Sequence, residues 1–147
     1  MSKNFPLDWS CVHACVTLVV ALSTGCNDGL RLHPVQGRVL LENDTPLDGG
    51  TVIAETLDGE IRRSANGDIG SDGTFSLGTL AAGDGAVEGD YIVAVMPRAL
   101  SEGDRAQAGP AFHPRYSDPM TSGITFRVDP GENEVVLRVS KSGKRQL

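Results

Sequence analysis

Short segments of alternating apolar and polar residues constrain the fold of this chain more than any other feature. Such alternation places the apolar side chains on one face of a β-strand. Clusters of Gly, Pro, Asp and Asn, which are typical turn residues, separate the segments. One segment is apolar throughout, as expected for a central strand buried on both faces. The six segments are 35–41, 51–57, 74–77, 91–96 (the apolar one), 124–129 and 135–140.

The size and composition of the chain indicate how these strands assemble. A chain of 147 residues suits one domain, and 18 Gly, 8 Pro and only 5% aromatic residues favour a turn-rich β protein over a helical bundle. We therefore predict an all-β, antiparallel, two-sheet Greek-key sandwich of six or seven strands, with the seventh at Glu60 to Ser64. The net charge of -6 disfavours binding to nucleic acid.

The first 25 residues have the composition of a secretory signal. A basic start at Lys3 precedes an apolar run from Cys11 to Leu22, which ends in small residues. Twelve helical residues span about 18 Å, short of the ~30 Å hydrocarbon core of a bilayer. We predict a signal-peptide helix at 1–25, a tether at 26–33, the sandwich at 34–140 and a basic C-terminal tail at 141–147.

Cys26 follows the apolar run directly, in the sequence Leu22-Ser-Thr-Gly-Cys26. This segment resembles the lipoprotein box of bacteria, in which the Cys is lipidated and becomes the first residue; Ser23 stands where the box usually has Leu. The resemblance implies a bacterial envelope protein anchored through lipid on Cys26, on the periplasmic or the surface face of a membrane. The alternative is an ordinary signal peptide and a secreted or periplasmic domain. All three cysteines lie within the first 26 residues, so we expect neither disulfides nor sulfur-ligated metal in the sandwich.

Four motifs in succession indicate a family: Gly37-Arg-Val39, Pro46-Leu-Asp-Gly-Gly50, Asp72-Gly-Thr-Phe75 and Gly89-Asp-Tyr-Ile-Val93. Together they resemble the carboxypeptidase regulatory-like, or transthyretin-like, β-sandwich domain. Two further blocks, 83–86 and 116–123, are similar to small bacterial lipoproteins that carry one such domain. The resemblance covers residues 34 to 140 and implies a non-catalytic structural or adhesive module.

Three aromatic residues are assigned to the core. Phe75 and Phe126 occupy the inward positions of their alternating segments. Tyr91 begins a strand after Gly89-Asp90, where a sandwich uses a corner tyrosine, with its ring in the core and its hydroxyl on a nearby backbone group.

Acidic and amide residues in Gly-rich segments could suggest calcium. Asn66, Asp68, Asp72 and Asp84 fail the spacing of an EF-hand loop, and Asp or Asn beside Gly is typical of β-turns. We therefore interpret them as turn residues and predict no metal and no cofactor.

The connection from Pro97 to Gly123 contains the richest set of polar residues, and long connections are often functional. We designate as a candidate partner-binding loop the residues His113, Arg115, Tyr116, Asp118, Thr121 and Ser122. The interpretation that we favour for the individual residues is structural, with Phe112 and Tyr116 fixing the loop to the sandwich while Asp118 and Ser122 cap turns; if the protein recognises a partner, this loop is the first candidate. A Ser-His-Asp site is a third interpretation, but the sequence carries no nucleophile elbow.

The sequence thus predicts a non-catalytic accessory module, not an enzyme, with either a structural role or a role in binding a protein of the envelope or cell surface. A carbohydrate-binding module is the first alternative, although few aromatics are left to stack on sugars. A metal-dependent enzyme is the second. Intradiol dioxygenases hold iron with two Tyr and two His on a sandwich, and the four residues of those types after Cys26 are His33, Tyr91, His113 and Tyr116.

Overall fold

Seven strands form two facing sheets in a computed structural model that describes residues 30–57, 61–101 and 110–143. The predicted all-β sandwich is confirmed. In the first sheet the strand order is β4-β1-β7, and in the second it is β3-β2-β5-β6. The strands are β1 (Val35–Leu41), β2 (Gly50–Thr56), β3 (Ser64–Asp68), β4 (Thr74–Ser76), β5 (Gly89–Pro97), β6 (Ile124–Val128) and β7 (Asn133–Val139).

One strand pair departs from the antiparallel prediction. β1 and β7 run parallel over seven residue pairs, from Val35 opposite Asn133 to Leu41 opposite Val139, while the other four strand pairs are antiparallel. The first and last strands share no hairpin turn, because the chain crosses through the second sheet between them. Their relative direction is therefore set by the path of the chain and not by a local turn.

The predicted strand at Glu60 to Ser64 is wrong in position. The third strand is β3 and begins at Ser64, whereas residues 58–60 lie outside the described part of the chain. The interpretation of Asn66 and Asp68 as turn residues is also wrong, because both lie in β3. Ala65 and Gly67 face inward, and a Cβ on Gly67 would stand 2.3 Å from the carbonyl oxygen of Ser76. Glycine at this position lets the backbone of the other sheet approach closely.

The core lies between the sheets and is built from alternate residues of the strands. β1 and β2 contribute mainly Val and Ala, while Leu77, Tyr91 and Leu137 are the largest fully buried side chains. Phe75 is buried beside Gly37, where a Cβ would come within 2.6 Å of the phenyl ring. Phe126 is half-buried and stacks on Tyr91, with ring centroids 5.5 Å apart. The Tyr91 hydroxyl donates to the carbonyl oxygen of Val87 at 3.0 Å.

The residues that border the sandwich are bound to it at both termini of the domain. His33, in the predicted tether, exchanges backbone hydrogen bonds with Ala86 at 2.8 and 3.0 Å. Ser142, in the predicted tail, donates from its hydroxyl to Glu42 at 2.9 Å. The predicted signal at 1–25 and Cys26 lie outside the described residues. Among those described, no helix has the length and apolar character needed to cross a bilayer.

Candidate functional site

The second described part of the predicted partner-binding connection, residues 110–123, folds into two short helical turns; we refer to it as the 110–123 loop. A 3-10 helix spans Pro114–Ser117, and a single α-helical turn, α1, spans Pro119–Ser122. Each begins with Pro, whose fixed φ suits the first helical position. Gly123 ends α1 with a φ of 71°, a conformation that favours glycine.

Two of the candidate residues act as helix N-caps. The Nδ1 atom of His113 accepts from the backbone N–H of Arg115 at 3.2 Å. The carboxylate of Asp118 accepts from the N–H of Met120 at 2.8 Å. Both side chains satisfy a backbone donor that the helical turn itself cannot satisfy. The predicted cap at Asp118 is confirmed, and the His-Pro pair at 113–114 is a second local signal of the same kind.

Arg115 holds the 110–123 loop together. Its Nε and one terminal nitrogen donate to the carbonyl oxygen of Thr121 at 3.0 and 2.6 Å, and the other terminal nitrogen donates to the carbonyl oxygen of Gly143 at 2.7 Å. The Thr121 hydroxyl donates in return to the carbonyl oxygen of Arg115 at 2.7 Å. The planar guanidinium suits this task because its five N–H donors form a fixed fork.

Aromatic side chains anchor the loop in the core. Phe112 and Tyr116 are buried and meet edge to face, with ring centroids 6.3 Å apart. The Tyr116 hydroxyl lies 3.3 Å from the hydroxyl of Ser140, and the Arg115 guanidinium lies 5.8 Å from the centre of the Tyr116 ring. Their burial gives the loop a share of the hydrophobic stabilisation of the whole domain.

The last candidate residue, Ser122, is also engaged in the backbone of the loop. Its hydroxyl donates to the carbonyl oxygen of Pro119 at 3.3 Å and accepts from the N–H of Ile124 at 3.1 Å. The structure therefore brings all six candidate residues into one hydrogen-bonded unit. Each of their side chains makes a contact that shapes the loop, and none is brought into a Ser-His-Asp arrangement in the part of the chain that is described.

The outward surface of the loop carries a residue that the sequence analysis missed. Met120 lies on α1 with 71% of its surface exposed. A large apolar side chain on a hydrogen-bonded turn presents area to a partner without the entropic cost of ordering the backbone. Among the described residues, Leu80 is similarly exposed, at 76%, and lies in the separate connection after β4.

The two histidines of the iron alternative are far apart. His33 accepts from the N–H of Gly131, just before β7, whereas the N–H of His113 bonds Ser140, just after β7. A seven-residue strand separates these points by roughly 20 Å. In the described ranges, no group of three or more His, Cys, Asp or Glu residues is placed to hold a metal ion.

The acidic residues weighed for calcium have backbone and hydroxyl partners. Asp72 accepts from both the hydroxyl and the N–H of Thr74, which lowers the pKa of its carboxyl. Partial burial raises the pKa of Asp84, but the N–H groups of Thr79, Ala81 and Leu80 lower it further, so that the pKa lies below its ordinary value. These carboxylates are therefore fixed in their charged form by the turns that contain them.

Comparisons with known proteins give a limited picture. No protein-family model matches the chain, and none of the curated proteins matches it. A solved structure of a DUF3823 family protein from Parabacteroides merdae is similar, with 19% identity, a TM-score of 0.46 and coverage of 76% of this chain and 47% of that one. A 9R-lipoxygenase from Cyanothece has 12% identity and a TM-score of 0.42, with coverage of 74% and 16%. The chain spans about half of the first protein and a sixth of the second.

Proposed function

We propose that this protein is a non-catalytic module of the carboxypeptidase regulatory-like, or transthyretin-like, type. In this proposal it is anchored to the bacterial cell envelope by lipid on Cys26 and binds an envelope or surface protein through the 110–123 loop. The observation that carries the proposal is the construction of that loop. Its polar side chains build a hydrogen-bonded scaffold, and the scaffold exposes Met120.

The fixed geometry of the loop favours binding over catalysis. His113, Asp118 and Ser122 have the chemistry of acid-base catalysis, but their side chains are directed to the backbone of their own turns. A loop that is already folded loses little conformational entropy on meeting a partner. Methionine adds a flexible, polarizable contact that adapts to different surfaces.

The aromatic residues support a protein partner over a glycan. Stacking on sugars needs a row of exposed rings. The five aromatic residues in the described ranges are buried or half-buried: Phe75, Tyr91, Phe112, Tyr116 and Phe126.

Site-specific photo-crosslinking in the native host tests the binding surface. A photoreactive amino acid at position 120 is expected to give one dominant protein adduct, because Met120 lies at the centre of the proposed contact. The same amino acid at position 80 is the matched control, since Leu80 is equally exposed on another connection. Adducts that are identical from both positions, or absent from both, contradict the proposed surface.

Met120→Asp and Leu80→Asp give the corresponding binding measurement. Either charge lies in solvent, so both variants are expected to keep the melting temperature of the wild type. Only Met120→Asp is expected to lose the adduct partner on affinity purification, by about tenfold or more. Equal retention by both variants would remove the loop from the proposal.

The envelope anchor is tested separately by the mass of the mature N-terminus. We expect a diacylglyceryl-modified Cys26 in the wild type and loss of the modification in Cys26→Ser. An unmodified N-terminus would make this a secreted or periplasmic domain, and a retained Met1 would contradict the signal prediction itself.

A further inference from the structure

Strand β7 forms an edge of the first sheet and has backbone groups directed away from its neighbour. In the parallel ladder with β1, the N–H of Asn133 bonds the carbonyl oxygen of Pro34 at 2.9 Å. Alternate residues along the strand repeat this arrangement, so the N–H and C=O groups of Glu134, Val136 and Arg138 point to the opposite side. Across residues 30–57, 61–101 and 110–143, no backbone hydrogen bond is made to that side of β7.

The other edges are shorter or closed. The edges at β3 and β4 are bridged, because Asn66 and Gly78 exchange backbone hydrogen bonds at 2.9 and 2.8 Å. β6 has five residues, whereas β7 has seven in continuous register. Natural edge strands are commonly protected by Pro, by a bulge or by charged side chains, especially Lys. β7 contains no Pro, Lys or bulge, its two exposed charges, Glu134 and Arg138, are of opposite sign, and 56% of Val136 between them is exposed.

The outer face of β7 carries charges in a self-complementary order. Glu134, Val136 and Arg138 alternate along the strand and are all exposed. We propose that a second copy of this chain pairs with β7 in antiparallel orientation about Val136. In this register Glu134 faces Arg138 of the other copy at both ends, and the two Val136 side chains meet in the middle. Registers centred on Glu134 or Arg138 place like charges opposite each other, which is destabilising.

The same register satisfies the free backbone groups. The three outward-pointing residues become the hydrogen-bonded pairs of an antiparallel ladder, in which each pair exchanges two N–H···O bonds. The two first sheets then form one continuous six-stranded sheet. Arg138 already bonds the carboxylate of Asp44, so in the pair its guanidinium bridges Asp44 and the second copy's glutamate. A groove of about 680 Å³ over this face, lined in part by Arg38, Glu134 and Val136, continues across the junction.

Charge reversal tests the register in the intact protein isolated in mild detergent. The wild type is expected to be dimeric by native mass spectrometry. Glu134→Arg places like charges opposite at two positions and is expected to weaken dimerisation about tenfold or more. Combining it with Arg138→Glu restores opposite charges and is expected to restore the dimer. A monomeric wild type, or a double variant as weak as the single one, would overturn the proposal.

Disulfide trapping tests the position of the two-fold axis. The facing Cα atoms of a hydrogen-bonded antiparallel pair lie about 5.5 Å apart, within the range that a disulfide bridges. Val136→Cys is therefore expected to form a disulfide-linked dimer under mild oxidation. Arg38→Cys is the control. Position 38 lies opposite Val136 on β1, and in the dimer the two copies of position 38 are three strand spacings, about 14 Å, apart. Equal crosslinking of both variants contradicts this geometry. The wild type, oxidised in the same way, shows how much crosslinking the native cysteines contribute.

Hydrogen exchange separates this dimer from other occupants of the edge. Dilution that dissociates the dimer is expected to expose the amides of Glu134, Val136 and Arg138 together. Amides that stay protected in a monomer would show that another segment of the chain covers β7, and would overturn the proposal. Because the dimer uses neither the 110–123 loop nor Cys26, its failure leaves the proposed function untouched.

Discussion

The connection after β4 and the connection before β6 are each held by one charged side chain, but the charges are opposite. Asp84 accepts from three consecutive N–H groups, those of Thr79, Leu80 and Ala81. Arg115 donates to the carbonyl oxygens of Thr121 and Gly143. In both connections a charged group gathers backbone atoms that no strand satisfies, which is among the stronger forms of hydrogen bonding in proteins.

The two connections differ in how far their contacts reach. All the partners of Asp84 lie within five residues of it, whereas Arg115 reaches a carbonyl group 28 residues along the chain. The 110–123 loop also buries the aromatic rings of Phe112 and Tyr116 in the core, while the connection after β4 buries the aliphatic side chains of Leu77 and Ala86. The charged side chain of the first connection therefore holds a local turn, whereas that of the second ties together segments that are far apart in the chain.

Removal of a buried ring of the 110–123 loop is expected to have the largest effect on the stability of the domain. Tyr116→Ala deletes a side chain that is 2% exposed and leaves a cavity, which typically costs about 3–5 kcal/mol of unfolding free energy. Tyr116→Phe keeps the ring and is expected to cost only about 1 kcal/mol, through the lost hydroxyl contact. Chemical denaturation measures both variants, and a Tyr116→Ala loss below about 1 kcal/mol would contradict the core role of the loop.

Removal of either charged side chain is expected to lower the unfolding free energy less than removal of the ring. The two variants should also differ in how far along the chain amide exchange rises. Arg115→Ala should cost about 1–3 kcal/mol and raise amide exchange at both ends of the 110–123 loop and in the segment that contains Gly143. Asp84→Ala should raise amide exchange at 79–81 and leave β5 unchanged. Native-state hydrogen exchange distinguishes these patterns. Effects of equal reach in the two variants would contradict the contrast between the connections.

The smallest expected difference between the two connections is in how the melting temperature of their variants depends on pH. The carboxyl of Asp84 has a pKa below its ordinary value of 3.8 in the folded protein. Its stabilising contribution is therefore present in full above the pKa of the unfolded chain and is lost as the pH falls through the folded value. Melting temperatures below about pH 4 should fall less steeply in Asp84→Asn than in Arg115→Ala, which retains this carboxylate. Parallel slopes for the two variants would exclude Asp84 as a source of the acid sensitivity.

The sequence predicts the strands whose inner faces are fully apolar, because the alternation of apolar and polar residues is a property of the strand's own sequence. Val35 with Val39, and Val128 with Leu137, are buried as that pattern requires. The position of β3 is not predicted in this way, because its inward residues are the small Ala65 and Gly67. The glycine is needed there for the close approach of Ser76 in the other sheet. A close approach between distant segments leaves no periodic signal.

The sequence marks the 110–123 loop by its polar composition and predicts that Phe112 and Tyr116 fix it to the sandwich, which their burial confirms. Some hydrogen-bond partners of its side chains, however, lie far along the chain. The contacts of Arg115 with Gly143 and of Tyr116 with Ser140 span 28 and 24 residues. Local patterns carry no information on such contacts. The caps at His113 and Asp118 are local: the sequence predicts the cap at Asp118, and the Pro that follows His113 is the corresponding signal for the other.

Hydrogen exchange of the wild-type protein tests most directly whether the 110–123 loop is a built part of the domain. The N–H of Ser122 bonds the carbonyl oxygen of Asp118 at 2.9 Å, and the N–H of Met120 bonds its carboxylate. We predict that both amides exchange much more slowly than unstructured chain, and that Arg115→Ala removes this protection. Exchange at the rate of an unfolded peptide in the wild type would contradict the account, since the loop would then present no fixed surface to a partner.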